Sequence, residues 1–262
     1  MIWFEGLSPV CQGLLATLFT YAVTAAGAAL VFFFREVNQK ALDAMMGFAA
    51  GVMIAASFWS LLSPAIELSA ELGKNAWATA AAGFSAGGLF IIVSDLFLSA
   101  MEARRGPVGK NRRSLLLITA VTLHNIPEGL AVGVAFGCVS LGVPGADLVS
   151  AVMLAVGIGL QNFPEGTCVA MPLRQAGSSP LRCFLAGQAS GLVEPVAGVL
   201  GVLCALGARQ ILPVALTFSA GAMIAVVCSE LIPEAFRVSK AVATAGVLAG
   251  FVVMMVLDVA LG

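Results

Sequence analysis

Long apolar stretches separated by short polar links run the length of the chain. A hydrocarbon core about 30 Å thick is crossed by about 20 residues of helix. Eight stretches meet that requirement, at about residues 10–34, 42–66, 76–101, 114–137, 148–172, 181–207, 211–232 and 241–261. None alternates apolar and polar positions over about 10 residues, as a membrane β-strand does. The pattern predicts an all-α integral membrane protein, one transmembrane domain over residues 1–262, with almost nothing left outside the bilayer. The first stretch exceeds the apolar core of a signal peptide, has no basic segment before it and lacks a clear cleavage site. It is expected to be a retained span.

Composition agrees with the pattern. Of 262 residues 60% are apolar and 10% charged, and the mean hydropathy is +1.02, whereas a soluble domain is roughly one quarter charged. Thirteen Lys and Arg against 14 Asp and Glu give a net charge of -1, which leaves no basic surface for nucleic acid. Cys11, Cys138, Cys168, Cys183, Cys204 and Cys228 form no CxxC pair and read as small apolar filler.

Charge also orients the spans. Arg35, Lys40, Arg104, Arg105, Lys110, Arg112, Arg113, Arg174, Arg182, Arg237 and Lys240 fall in one alternate set of links, and only Lys74 and Arg209 in the other. By the positive-inside rule the first set is cytoplasmic, so both termini are expected outside. Small residues four apart, such as Gly47 and Gly51, Gly83 and Gly87, Gly129 with Gly133 and Gly137, Gly187 and Gly191, and Gly246 and Gly250, predict close helix packing.

The candidate chemistry lies in a hexapeptide that occurs twice. His124-Asn125-Ile126-Pro127-Glu128-Gly129 stands in the fourth stretch and Gln161-Asn162-Phe163-Pro164-Glu165-Gly166 in the fifth. An ionised side chain at the bilayer centre costs about 2.5–3.5 kcal/mol on insertion scales, so two acids call for a compensating charge. With about 100 degrees per residue, Glu128 lies about 40 degrees from His124, between it and Asn125, and can share one cation with each. Gln161, Asn162 and Glu165 repeat the arrangement. Pro127 and Pro164 remove backbone hydrogen bonds and are expected to kink both helices, exposing carbonyls that can desolvate a cation.

Further acids lie within or at the ends of apolar stretches. Glu194, before Pro195, is a candidate ligand, and Glu230, near Pro233, is equally readable as ligand or structural partner. Asp95, Asp43, Glu67 and Asp258 sit nearer span ends and read as solvated rim residues. Oxygen ligands with one imidazole suit Zn(II), Fe(II) or Mn(II), and the lack of thiolates nearby argues against Cu(I).

With these motifs the sequence closely resembles the ZIP (Zrt/Irt-like protein) family of divalent metal transporters, particularly its prokaryotic, GufA-like branch. The resemblance covers essentially the whole chain. It implies eight transmembrane helices in a 3+2+3 arrangement with an inverted repeat, and metal movement into the cytoplasm through a binuclear centre. It assigns His124, Glu128, Gln161 and Glu165 to one site and Asn125, Glu128, Asn162, Glu165 and Glu194 to the other, with Met53 as a further contact of the first. By the same resemblance Ser60, Glu67 and Asp43 line an entrance or exit route. The chain departs from the family where many members carry His at the place of Gln161 and some Asp at that of Asn162. It also lacks a His-rich loop between the third and fourth spans.

The expected function is therefore transport of a divalent metal, with Zn(II) foremost and Fe(II), Mn(II) and Cd(II) also compatible, in a plasma membrane such as the bacterial inner membrane. Its partners are the metal and the lipid bilayer, and the family allows a homodimer. Two other readings compete. An intramembrane metallohydrolase would need an open coordination position and a general base, and the chain has no HExxH and no second histidine. A non-transporting metal sensor would bind metal tightly without flux.

Overall fold

The computed structural model describes residues 2–36, 38–103, 110–143 and 146–261, without the side chains of Ile2 and of residues 101–121. Arg104 and Arg105 lie outside the described residues, as do the side chains of Lys110, Arg112 and Arg113. Everything regular among the described residues is helical. Short α1 (Ile2–Glu5) precedes α2 (Pro9–Ala28), α3 (Gln39–Ala56), α4 (Ser63–Glu71), α5 (Ala76–Ala103), α6 (Lys110–Ser140) and α7 (Leu148–Gln175). Then follow α8 (Pro180–Gly191), α9 (Val193–Gly207), α10 (Leu212–Val226), α11 (Ile232–Ala235) and α12 (Lys240–Val256). Among the described residues, seven helical stretches are long and apolar enough to cross a membrane. α6 runs for 31 residues between the third and fourth of them.

Helix starts follow local chemistry. Ser8 accepts from the Cys11 N–H with Pro9 opening α2, Asn38 accepts from Lys40 N–H ahead of α3, and Asp147 accepts from Val149 and Ser150 N–H ahead of α7. Burial of Asp147 is slight. The Ser150 hydroxyl and these two amides hold its carboxyl below the ordinary aspartate range.

Two kinds of interruption were not legible as such in the apolar pattern. The sixth stretch breaks at Leu192, between α8 and α9, leaving Glu194 in the first turn of a new helix. Wide π-helical turns interrupt the second, seventh and eighth stretches at Ser57–Leu62, Val227–Leu231 and Leu257–Leu261. The first two precede Pro64 and Pro233, whose missing N–H and crowded ring disfavour regular α pairing upstream. They also close a repeat in the chain itself. Phe48-Ala49-Ala50-Gly51-Val52-Met53-Ile54-Ala55 returns as Phe218-Ser219-Ala220-Gly221-Ala222-Met223-Ile224-Ala225, and the same register equates Ser60 with Glu230. By contrast α6 and α7 continue through Pro127 and Pro164.

Packing sorts the helices into two groups. α3 packs on α12 and α5 on α10 in one, and α2 packs on α7 and α6 on α9 in the other. Within each group backbones touch. A Cβ on Gly51 would strike the Val247 carbonyl, on Gly87 that of Phe218, on Gly133 that of Gly198, and on Gly166 that of Thr24. The groups meet through α3 against α7 and α10 against α6. There Gly157 faces the Met254 side chain rather than backbone. The outer side of α5 leaves Leu89, Ile92, Val93, Leu96 and Phe97 exposed, as a lipid-facing surface requires.

Candidate metal centre

α6 carries His124, Asn125 and Glu128, α7 carries Gln161, Asn162 and Glu165, and α9 carries Glu194. All seven are buried. An amide is oriented by what its NH2 group meets, and each amide here is held from that side. Gln161 Nε2 donates to Glu128 Oε1 at 2.5 Å. Asn125 Nδ2 donates to the Ser190 carbonyl at 3.0 Å, just before the break in the sixth stretch. Asn162 Nδ2 straddles both oxygens of Glu194, at 2.9 Å each, and reaches the Thr20 carbonyl at 3.3 Å.

With the amino ends tied down, the carbonyl oxygens are left over. Asn125 Oδ1, Gln161 Oε1, Asn162 Oδ1, Glu128 Oε2 and His124 Nε2 are buried and make no hydrogen bond; among the described residues only Arg174 Nε and Asp258 Oδ2 share that condition. Buried polar atoms are nearly always bonded, and an orphaned one costs about 1–3 kcal/mol. Five such atoms, four oxygens and one imidazole nitrogen, fall on the two copies of one motif, and they are of the donor types that suit a borderline divalent cation. The charge pattern has the same sense, since Glu165 and Glu194 both act electrostatically on Glu128.

His124 itself turns toward a different pair. Its Nε2 lies 3.6 Å from Asp95 Oδ1 and its Nδ1 3.4 Å from Glu230 Oε2. One ligand atom from each of the three lies within 4.8 Å of the others, an arrangement able to hold a metal ion. These acids are 31% and 35% exposed, so the cluster is more open than the buried hexapeptide residues. Glu165 feels the charges of both Glu194 and Glu230, which links the two clusters. Asp95 thus has a histidine partner, against its reading as a rim residue.

The remaining residues named from sequence have other surroundings. Asp43 is buried, but accepts from Gln39 Nε2 at 3.3 Å and from the Ser239 N–H at 2.8 Å, so it ties α3 to the link before α12. Ser60 donates to Asp258 Oδ1 at 2.6 Å, pairing the π-helical turns of the second and eighth stretches. Glu67 is exposed on α4. Met53 is fully buried in the apolar core.

Sequence reading missed Thr20. Its hydroxyl donates to Glu194 Oε2 from inside the first apolar stretch. The signal was present as Thr17, Thr20 and Thr24, one polar stripe at helical spacing.

A family model described as ZIP Zinc transporter matches residues 100–258. Zinc transporter ZIP11 of Xenopus tropicalis is 40% identical, over 98% of this chain and 99% of its own length. Zinc transporter GufA of Myxococcus xanthus is 38% identical, over 95% and 99%. Zinc transporter ZIPB of Bordetella bronchiseptica is 39% identical, over 92% and 79%.

Proposed function

The chain belongs to the ZIP zinc transporter family, and on that footing we propose that it carries Zn2+ into the cytoplasm through the centre built on α6 and α7. It is a multi-pass membrane protein and a transporter, not an enzyme. In this reading α6 is an eighth span, both termini are extracytoplasmic, and the membrane is the plasma membrane. The repeat at residues 48–55 and 218–225 supports an inverted relation between the first three and last three spans, as the 3+2+3 arrangement requires.

The observation that carries the proposal is the set of five unbonded buried atoms on the two hexapeptides. A structural polar core would have satisfied them, and a dication does so for the time it is bound. The first site comprises His124, Glu128, Gln161 and Glu165, with Met53 as a soft contact. The second comprises Asn125, Glu128, Asn162, Glu165 and Glu194. Carboxylate and amide ligands release a dication more readily than thiolates, as transport demands. His124 takes part twice, since it also faces Asp95 and Glu230, and the more exposed cluster there is a step on the route to water. Every proposed ligand comes from one chain, so the centre needs no second copy.

The test is zinc uptake into proteoliposomes loaded with a zinc-sensitive dye. The unsubstituted protein takes up Zn2+, and Glu165→Ala and His124→Ala abolish uptake while eluting as folded protein. Uptake at the unsubstituted rate in both variants would refute the assignment.

A further inference from the structure

Glu194 is saturated by neutral donors. The Asn162 amino group lies 2.9 Å from both of its oxygens, and the Thr20 hydroxyl donates to Oε2. All three residues are buried, on helices α2, α7 and α9. A carboxylate so surrounded is already compensated, and a cation that binds it must displace donors.

Thr20 has somewhere else to go. Its Oγ1 also stands 3.0 Å from the Thr17 carbonyl, one turn back on α2. A hydroxyl carries one proton on a rotatable bond and has two lone pairs. It can donate to Glu194 or to Thr17, but not strongly to both. When a dication arrives at Glu194, rotation about the Cβ–Oγ bond moves the proton to the Thr17 carbonyl. The hydroxyl is then still paired, and its lone pairs face the positive charge. Asn162 has no such freedom, because its amino group also holds the Thr20 carbonyl.

We propose that Thr20 is a positioning residue whose hydroxyl stands in for the cation on Glu194 in the metal-free state and so sets the affinity of the second site. This rests on the reading of Glu194 as a second-site ligand given above. A hydrogen bond to a charged acceptor is strong enough that surrendering one lowers affinity by about tenfold or more. Removing the hydroxyl therefore weakens the metal-free protein and tightens the second site, leaving the metal-bound state little changed.

The experiment is calorimetric titration of the purified, EDTA-stripped full chain with Zn2+, beside thermal unfolding with and without Zn2+. Glu194→Gln identifies which binding step belongs to the second site. Thr20→Val, which keeps the side-chain shape, is expected to bind Zn2+ about tenfold more tightly at that step. Its melting temperature drops in EDTA and recovers in Zn2+. Thr20→Ser, which keeps the hydroxyl and both acceptors, behaves as the unsubstituted protein. Thr20→Ala serves as a second donor-free variant should the valine variant misfold. A second-site constant that is unchanged or weakened, or a melting temperature lowered equally with and without Zn2+, assigns Thr20 to packing or ligation and overturns the proposal. If the unsubstituted protein neither binds nor transports Zn2+, the proposed function fails instead; if it transports Zn2+ while the Thr20 variants titrate alike, only this inference does.

Discussion

Replacing Glu128 by Gln separates function from stability with opposite signs. The change keeps the side-chain shape and an oxygen that can accept from Gln161 Nε2, while it removes one charge from a fully buried position. Glu165 and Glu194 act on that charge. Two unit charges about 8 Å apart at an effective dielectric of about 20 repel by about 2 kcal/mol, and that is the scale taken for each repulsion here. The hydrogen bond from Gln161 weakens by about 1 kcal/mol when its acceptor becomes neutral, and the smaller desolvation of an amide offsets that by a similar amount. With all three carboxylates ionised, the net gain for the metal-free protein is at most about 4 kcal/mol. At 2–4 °C per kcal/mol for a chain of this size, the melting temperature rises on the order of 10 °C. In EDTA the Glu128→Gln variant should thus melt well above the unsubstituted protein, while Zn2+ raises its melting temperature far less and vesicle uptake is lost. A lower melting temperature in EDTA would mean that the Glu128 charge is itself structural, and the reasoning about orphaned ligands would fall with it.

Three other variants probe the surroundings. Asp95→Asn combined with Glu230→Gln should slow zinc uptake several-fold yet leave the tightest calorimetric site intact, because those acids meet His124 rather than Glu128; equal loss of both would place them in the tight site. Gly166→Ala drives a Cβ into the Thr24 carbonyl and the Ala28 amide of α2, and should cost about 1–3 kcal/mol of stability in a melt and disturb the Thr20 to Asn162 register. Asp147→Ala removes the cap of α7 and should cost about 1 kcal/mol at neutral pH. The folded carboxyl titrates below its unfolded value of about 3.9, so the cap contributes fully above that pH and is lost as pH falls through the lower folded value. Melts of the two proteins should therefore stay parallel from pH 5 to 8 and begin to converge only as the pH falls below about 4.

The amino-acid order determined the class of the protein, because solvent sets it: apolar runs of membrane length have no other stable home, and two hexapeptides with acids inside such runs mark a candidate cation site from the cost of burying charge alone. Helical spacing also placed Glu128 between His124 and Asn125 on one helix. What it could not give is which way each polar group turns, since that depends on partners distant in the chain. His124 meets Asp95 and Glu230 from α5 and the π-helical turn after α10, and Glu194 is held by Thr20 from α2 and Asn162 from α7. The break at Leu192 and the widened turns around Ser60 and Glu230 were hidden for a related reason, because hydropathy reports where a helix lies and says nothing of its hydrogen-bond register. The tertiary fold decided which amide nitrogens are occupied, and so which oxygens remain to meet a metal.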